Sequence, residues 1–250
     1  MLLLIFLTAY LALFLYLVQI PQSQTREIVL KSIESPISGT ISLVRKGKKE
    51  VWLRMFGVTQ GIDARTFVNK KSYWHKVAEI ILEEVKDKKI ASVLYFGLGG
   101  GTIPYLVSQS HEGVVQTVVE IDPVLVKIVK EDFGLANQES IRIVEADAYR
   151  LAGEKHSFGQ YFDVVMVDIF GDENSLANPA STEASFIVYV RSLLKKGGVL
   201  VFNHPAHTRQ AVGGAARLVQ NLEMHGWAVK QYKVFDKKRL FRNIVVKVEF

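Results

Sequence analysis

Val-Leu-Tyr-Phe-Gly-Leu-Gly-Gly-Gly-Thr at residues 93–102, with Val-Val-Glu-Ile-Asp-Pro at 118–123, is the stretch that decides the fold. Residues 93–96 are an apolar run of strand length, Gly97, Gly99, Gly100 and Gly101 end it, and Ile103, Leu106 and Val107 follow at helical spacing. A second apolar run from Val114 to Val119 stops at Glu120. That is about 20 residues past the glycines, where a βαβ nucleotide site sets a carboxylate on ribose hydroxyls. Glycines let backbone N–H groups approach a ligand without a Cβ in the way, and a carboxylate can accept two hydroxyl hydrogen bonds. The pattern predicts a nucleoside-binding crevice; the bland alternative is an ordinary tight turn between strand and helix.

A dinucleotide site calls for a third glycine at position 102, and Thr102 stands there. This argues against NAD and for a co-substrate without phosphates, such as S-adenosylmethionine. The rest of the composition is compatible with an enzyme of that kind. With 250 residues, 49% of them hydrophobic, the chain can bury a sizeable core in one main domain with a small appendage. Cysteine is absent, which excludes disulfides, thiolate metal ligands and cysteine nucleophiles. The net charge of +6 comes from short clusters such as those at 45–49 and 237–239. They form no long stripe and have no interleaved aromatics, so nucleic acid is not an expected partner.

Working outward, residues 2–20 carry no charge and would span roughly 28 Å as a helix, close to a bilayer's hydrocarbon core. Residues 1–22 are therefore expected to be a transmembrane anchor. Arg26, Lys31, Arg45 and Lys46 all follow it, which predicts a cytoplasmic catalytic domain and some attraction to anionic lipid. Cleavage as a signal peptide is the alternative. Residues 23–68 hold three β-prone runs (28–33, 39–44, 51–56) and read as a β-hairpin appendage, with Gly-Val-Thr-Gln at 57–60 as a turn.

Residues 69–250 read as the catalytic domain. Residues 73–86 have the apolar stripe of an amphipathic helix, and Asp122 and Pro123 open another that runs to Asp132. Strands are expected at 141–144, 163–168 and 199–202, then 227–235 and 241–248 as a final antiparallel pair after a helix at 208–225. A helix is expected from Pro179 to the Lys-Lys-Gly-Gly at 195–198. The sum is a doubly wound, mostly parallel α/β sheet of about seven strands with helices on both faces, a Rossmann-like fold. Asp147 and Asp168 each end a strand on the crevice side. Asp147 could accept a hydrogen bond from an adenine amino group or simply cap the turn at 148–152. His204 and His207 lack a third ligand nearby, so no metal is expected.

Taken together, Gly-Val-Thr-Gln (57–60), Gly-Leu-Gly-Gly-Gly-Thr (97–102), Val-Glu-Ile-Asp-Pro (119–123), Ala-Asp-Ala (146–148), Val-Asp-Ile-Phe (167–170) and Gly-Gly-Val-Leu-Val (197–201) resemble the spermidine synthases and their bacterial relatives within the S-adenosylmethionine methyltransferase fold. The resemblance covers roughly residues 35–203. It implies that Gly97, Gly99 and Gly101 form the co-substrate turn, that Glu120 holds the ribose, and that Asp147 and Ala148 hold the adenine. It makes Asp168 the catalytic carboxylate and Gln60 and Tyr73 the lining of an amine pocket. Spermidine synthases carry Asp where this chain has Gly100, and their second aspartate falls at Gly171, with Asp172 one place later as its substitute. The first hairpin's usual glutamine is missing around Gly39, and Trp74 replaces the usual histidine or glutamine.

The implied reaction moves an aminopropyl group from decarboxylated S-adenosylmethionine to a diamine such as putrescine. A methyltransferase using intact S-adenosylmethionine is the runner-up, favoured by Gly100, and a membrane-tethered module without catalysis is the reading from another class. The oligomeric state is open, a homodimer included.

Overall fold

The computed structural model describes residues 27–66, 72–152, 158–170, 182–206, 208–235 and 241–250. Two sheets carry the architecture. The first is antiparallel, in the order β1 (Glu27–Ser35), β2 (Gly39–Lys46), β3 (Glu50–Met55), β4 (Val58–Ile62). The expected hairpin is thus a four-stranded meander. Its last turn lies at Phe56 and Gly57, both with positive φ as a tight primed hairpin turn requires. Residues 58–60, expected to be part of a turn, belong to β4: Gly57 marked the bend, and the β-branched Val58 and Thr59 already run along the next strand.

The second sheet has seven strands. In chain order they are β5 (Ala91–Phe96), β6 (Val114–Glu120), β7 (Ile141–Glu145), β8 (Phe162–Val167), β9 (Leu194–Pro205), β10 (Ala228–Phe235) and β11 (Phe241–Glu249). Across the sheet the order is β10-β11-β9-β8-β5-β6-β7. Strands β5 to β9 are mutually parallel, while β11 runs antiparallel to both β9 and β10. Every residue of β5 and β8 is buried, as expected for a strand covered on both faces.

Successive residues of β5 supply opposite cores. Val93 and Tyr95 pack beneath α1 (Tyr73–Val85), α2 (Thr102–Ser108) and α3 (Pro123–Asp132). Leu94 and Phe96 pack against α5 (Ala184–Ser192) and α6 (Arg209–Met224) on the other face. A single turn, α4 (Ala148–Leu151), follows β7. Local chemistry fixes the ends: Ser72 accepts from His75 N at the start of α1, and Asp122 Oδ1 accepts from Val124 N and Leu125 N with Pro123 in the first turn of α3.

Three expectations change. Pro179, where the fourth long helix was to begin, lies outside the described residues, and α5 ends at Ser192. Lys195–Gly198 belong to β9, where the pairing with β8 shifts register between Phe162 and Val164 and Gly197 takes a positive φ; the two glycines accommodate a bulge inside a strand. The membrane anchor and the cytoplasmic orientation drawn from it are also corrected: no helix among the described residues is long and apolar enough to cross a membrane. The longest, α6, has 16 residues, and its buried positions fall on one face against the sheet. Residues 2–20, where that anchor was expected, lie outside the described residues.

The two sheets meet backbone to backbone. A Cβ added at Gly100 would sit 2.7 Å from Gly61 Cα, so neither residue has room for a side chain. Beside this contact, Thr102 Oγ1 donates to Ile62 O (2.7 Å) and accepts from Ile62 N (3.0 Å). Ser35 Oγ donates to Asp122 Oδ2 at 2.6 Å and Lys31 bridges to Asp132 at 2.8 Å, giving two further links. Thr102→Val keeps the shape and strands two buried backbone groups of Ile62. Urea unfolding is expected to show a loss of roughly 2 to 3 kcal/mol, which Thr102→Ser largely avoids.

Candidate functional site

A cavity of about 310 Å³ opens where the appendage faces the carboxyl ends of β5, β6, β7 and β8. The carboxyl edge of an open α/β sheet is where ligands are expected, and the volume suits a nucleoside. Ile37, Ser38, Met55, Phe56 and Gln60 line it from the appendage; Gly97, Gly99, Glu120, Asp147, Ala148 and Asp168 line it from the sheet. Six of the residues singled out in sequence as nucleoside or catalytic groups therefore share one wall. Gly101 does not line it. Its left-handed backbone opens α2, and a Cβ there would meet Leu135 and Val129.

The glycines are required by close approaches. Gly97 (φ 97°) lies against the carbonyl of Asp168, and a Cβ on Gly99 would fall 2.6 Å from Gln60 O. These contacts bring the first strand's turn, the appendage and the catalytic candidate to one point.

Glu120 is almost fully buried. Its Oε2 accepts from Leu98 N (2.9 Å), and its Oε1 accepts from Ile121 N (2.9 Å) and Asp122 N (3.0 Å). Burial raises its carboxyl pKa, and those three N–H groups act against the rise. A carboxylate has about four lone-pair sites, so one remains, on Oε2, for a hydroxyl. Asp147 takes the capping role and lies on the cavity. Oδ1 caps α4 by accepting from Tyr149 N at 2.8 Å, while the residue still borders the cavity.

Asp168 follows β8 directly. Asn203 Nδ2 donates to its Oδ1 at 2.8 Å, and the hydroxyl of Tyr73 donates to the same carboxylate. Among the described residues it has no ion pair. It keeps a partly open side to the cavity, yet protein crowds it closely. This burial lifts its carboxyl to about 7, more than the two hydrogen bonds lower it. Burial, and then the nearby Asp168 charge, push the Tyr73 phenol well above its ordinary value. A second, much smaller void of about 20 Å³ lies behind, bounded by Gln60, Trp74, Tyr95, Thr102, Met166 and Asp168. It has room for one water or one ammonium head group.

Gln60 is buried and reaches both voids from β4. Asp172 lies outside the described residues, as does His207. His204 is buried with Nδ1 2.8 Å from Pro205 O, and no cluster of metal-ligating side chains occurs among the described residues. Two groups escaped the sequence reading. Asn203 ends the apolar run of β9 as Asp168 ends that of β8, so the same signal was present. Thr102 was read only as a missing glycine; its hydroxyl is the link between the sheets.

No known family model matches the chain. Over 123 residues it is 32% identical to the eEF1A lysine and N-terminal methyltransferase of Danio rerio, covering 47% of this chain and 18% of that one. Over 138 residues it is 29% identical to the polyamine aminopropyltransferase of Vibrio vulnificus, covering 54% of this chain and 44% of that one. The chain thus spans less than half the length of either relative. Among solved structures it is similar to a probable spermidine synthase from Corynebacterium glutamicum (TM-score 0.72, 19% identity, 89% of this chain and 80% of that one). It is also similar to human methyltransferase-like protein 13 in complex with SAH (TM-score 0.56, 24% identity, 70% and 79%). These matches show the fold; the activities they name are those of the relatives. The chain has the S-adenosylmethionine-dependent methyltransferase fold, and its resemblance to the spermidine synthases extends from the motifs to the architecture of 89% of its length.

Proposed function

We propose that this chain is an aminopropyltransferase that moves the aminopropyl group of decarboxylated S-adenosylmethionine to an amine such as putrescine. The observation that carries the reading is the placement of Asp168, half-buried and hydrogen-bonded by Tyr73 and Asn203, between the nucleoside-sized cavity and the small aromatic void reached by Gln60. The 89% structural overlap with a probable spermidine synthase supports it.

In this reading Glu120 holds a ribose hydroxyl, Asp147 and Ala148 meet the adenine, and Gln60 and Tyr73 border the amine, with Asp172 as a further contact. The sulfonium is already a good leaving group. An alkylammonium, with a pKa of about 10, cannot attack until it loses a proton. Asp168 accepts that proton directly or through a water. The nitrogen lone pair then forms the new C–N bond, the C–S bond breaks, and its electrons leave on sulfur as neutral methylthioadenosine.

Methyl transfer from intact S-adenosylmethionine is the second reading, and one observation favours it. Position 100 has no room for the carboxylate that spermidine synthases place there, so nothing at that point repels the methionine carboxylate of the intact co-substrate. Mass spectrometry of the nucleoside product separates the two. Methylthioadenosine is expected; S-adenosylhomocysteine would replace the first reading by the second, and neither product with any amine would leave a non-catalytic module.

Glu120→Ala is expected to weaken nucleoside binding by roughly 1.5 to 3 kcal/mol in calorimetry. Asp168→Asn keeps the shape and removes the proton acceptor, so turnover should fall about a hundredfold or more with nucleoside affinity nearly unchanged. The wild-type rate should decline as pH drops below about 7, where Asp168 becomes protonated. The same variant has a stability signature of definite sign. A carboxyl raised in the folded state binds its proton there while the unfolded chain has already lost it, so stability falls as pH rises from about 4 to 7. Asp168→Asn should therefore unfold at a higher temperature than wild type at pH 8, with the gain shrinking toward pH 4. A lower melting temperature with near-normal turnover would mark Asp168 as a loop tie only.

A further inference from the structure

The carboxyl edge of the seven-stranded sheet holds a polar chain that extends well beyond the cavity wall. Asn243 Nδ2 donates to Asn203 Oδ1 at 3.0 Å, and Asn203 Nδ2 donates to Asp168 Oδ1 at 2.8 Å. From the opposite side the Trp74 indole N–H donates to the Tyr73 oxygen, and Tyr73 donates to Asp168. Each link has only one workable direction. An ionised carboxylate can only accept, which turns the Asn203 amide nitrogen toward it. The Asn203 oxygen then faces away and needs a donor, and Asn243 supplies one.

The topology explains how a residue so late in the chain arrives here. Strand β11 is antiparallel to β9, with Val245 opposite Asn203 and Asn243 opposite Pro205. Its first residues therefore lie at the same edge where β8 ends. Asn203 is only 5% exposed, and its two polar atoms are both committed to this chain. A residue needed just to fill that position would be apolar, like its strand neighbours Phe202 and Val201.

We propose that Asn203, fixed by Asn243, is a positioning residue for Asp168: it holds the carboxylate ionised and aimed at the cavity, and so makes the C-terminal antiparallel pair part of the catalytic apparatus. The catalytic consequence rests on the function proposed above; the positioning itself does not. Among the described residues, the titratable groups around Asp168 are Tyr73 from α1, Tyr95 from β5, and Glu120, Asp147 and, from α4, Tyr149 across the cavity. Tyr95 is turned away, donating to Gln116 Oε1 at 2.6 Å, and among the described residues no cation pairs with Asp168. With no ion pair, neutral donors are what favours the charged form, and Asn203 contributes more than Tyr73 does.

The test reads Asp168 directly. In protein labelled with carboxyl-carbon-13 aspartate, the Asp168 resonance is assigned by its loss in Asp168→Asn and titrated by NMR. Wild type should titrate near 7. In Asn203→Ala the proton affinity should rise about tenfold, one pH unit. Asn243→Ala should shift it in the same direction by less, since Asn203 stays but is free to turn. In the assay, Asn203→Ala should lose about fivefold in rate at pH 7 and recover most of it at pH 9, a rescue that mere structural damage would not give. Unmoved titration in a cooperatively folded Asn203→Ala would overturn the proposal. If that variant does not fold, an unmoved Asn243→Ala overturns it. Failure of wild type to transfer any aminopropyl or methyl group would remove the reaction and leave the titration result standing.

Discussion

The contact on which the structure depends is the backbone approach of β4 to the glycine turn after β5. A four-stranded antiparallel sheet and a parallel sheet have no common ladder, so they can be joined closely only where both lack side chains. Gly61 and Gly100 provide that point, and the Thr102 hydroxyl satisfies the Ile62 N–H and C=O that the edge of β4 would otherwise bury unpaired. Everything in the cavity follows from this joint. It puts Gln60 beside Gly99, brings Met55 and Phe56 over the nucleoside wall, and holds the strained Phe56 backbone in place at positive φ. Thr102, which stands where a dinucleotide turn would have its third glycine, thus fastens the roof.

Much of this was legible in the chain. Apolar runs ending in Glu120 and Asp168 mark strand ends at one edge of a parallel sheet, because a strand covered on both faces admits a carboxylate only where it emerges, and Asp147 follows the edge strand β7. The count of about seven strands, with its closing antiparallel pair, follows from alternating strand and helix patterns. What could not be read are facts of pairing. Gly57 shows that the chain bends, yet whether Val58 and Thr59 belong to the bend or to a strand depends on a partner, β3, that local sequence does not name. Lys195–Gly198 have the composition of a helix stop, and only their pairing with β8 makes them a bulge. The apolar, charge-free composition of residues 2–20 fits a span, and composition alone does not make one. Asn243 is 40 residues from Asn203; nothing but the antiparallel return of β11 brings them together.

Charge narrows the class of ligand. Glu120, Asp147 and Asp168 surround a cavity whose lining includes no lysine or arginine among the described residues. A phosphate-bearing cofactor would find repulsion there and no counter-charge. A sulfonium or an ammonium would find attraction in a partly enclosed space, where the effective dielectric is well below that of water. The wall is therefore matched to cationic substrates before any particular contact is considered.

That same attraction would, by itself, oppose the proposed chemistry. An ammonium beside an ionised Asp168 stabilises its own proton, since opposite charges favour the charged form of each partner. Burial resolves the conflict. In a poorly solvated site, passing the proton from nitrogen to carboxylate converts two charges into two neutral groups, and desolvation favours that outcome. The carboxyl already stands at about 7, roughly three units below a free alkylammonium. Desolvation of the amine lowers its own affinity for the proton, which narrows the remaining gap. Asn203 and Tyr73 then work in the opposite sense, keeping Asp168 ionised until the amine arrives. A base buried without them would sit protonated at neutral pH; a base given a full ion pair would hold its charge too firmly to take a proton. Two neutral donors on a buried carboxylate place it between those limits.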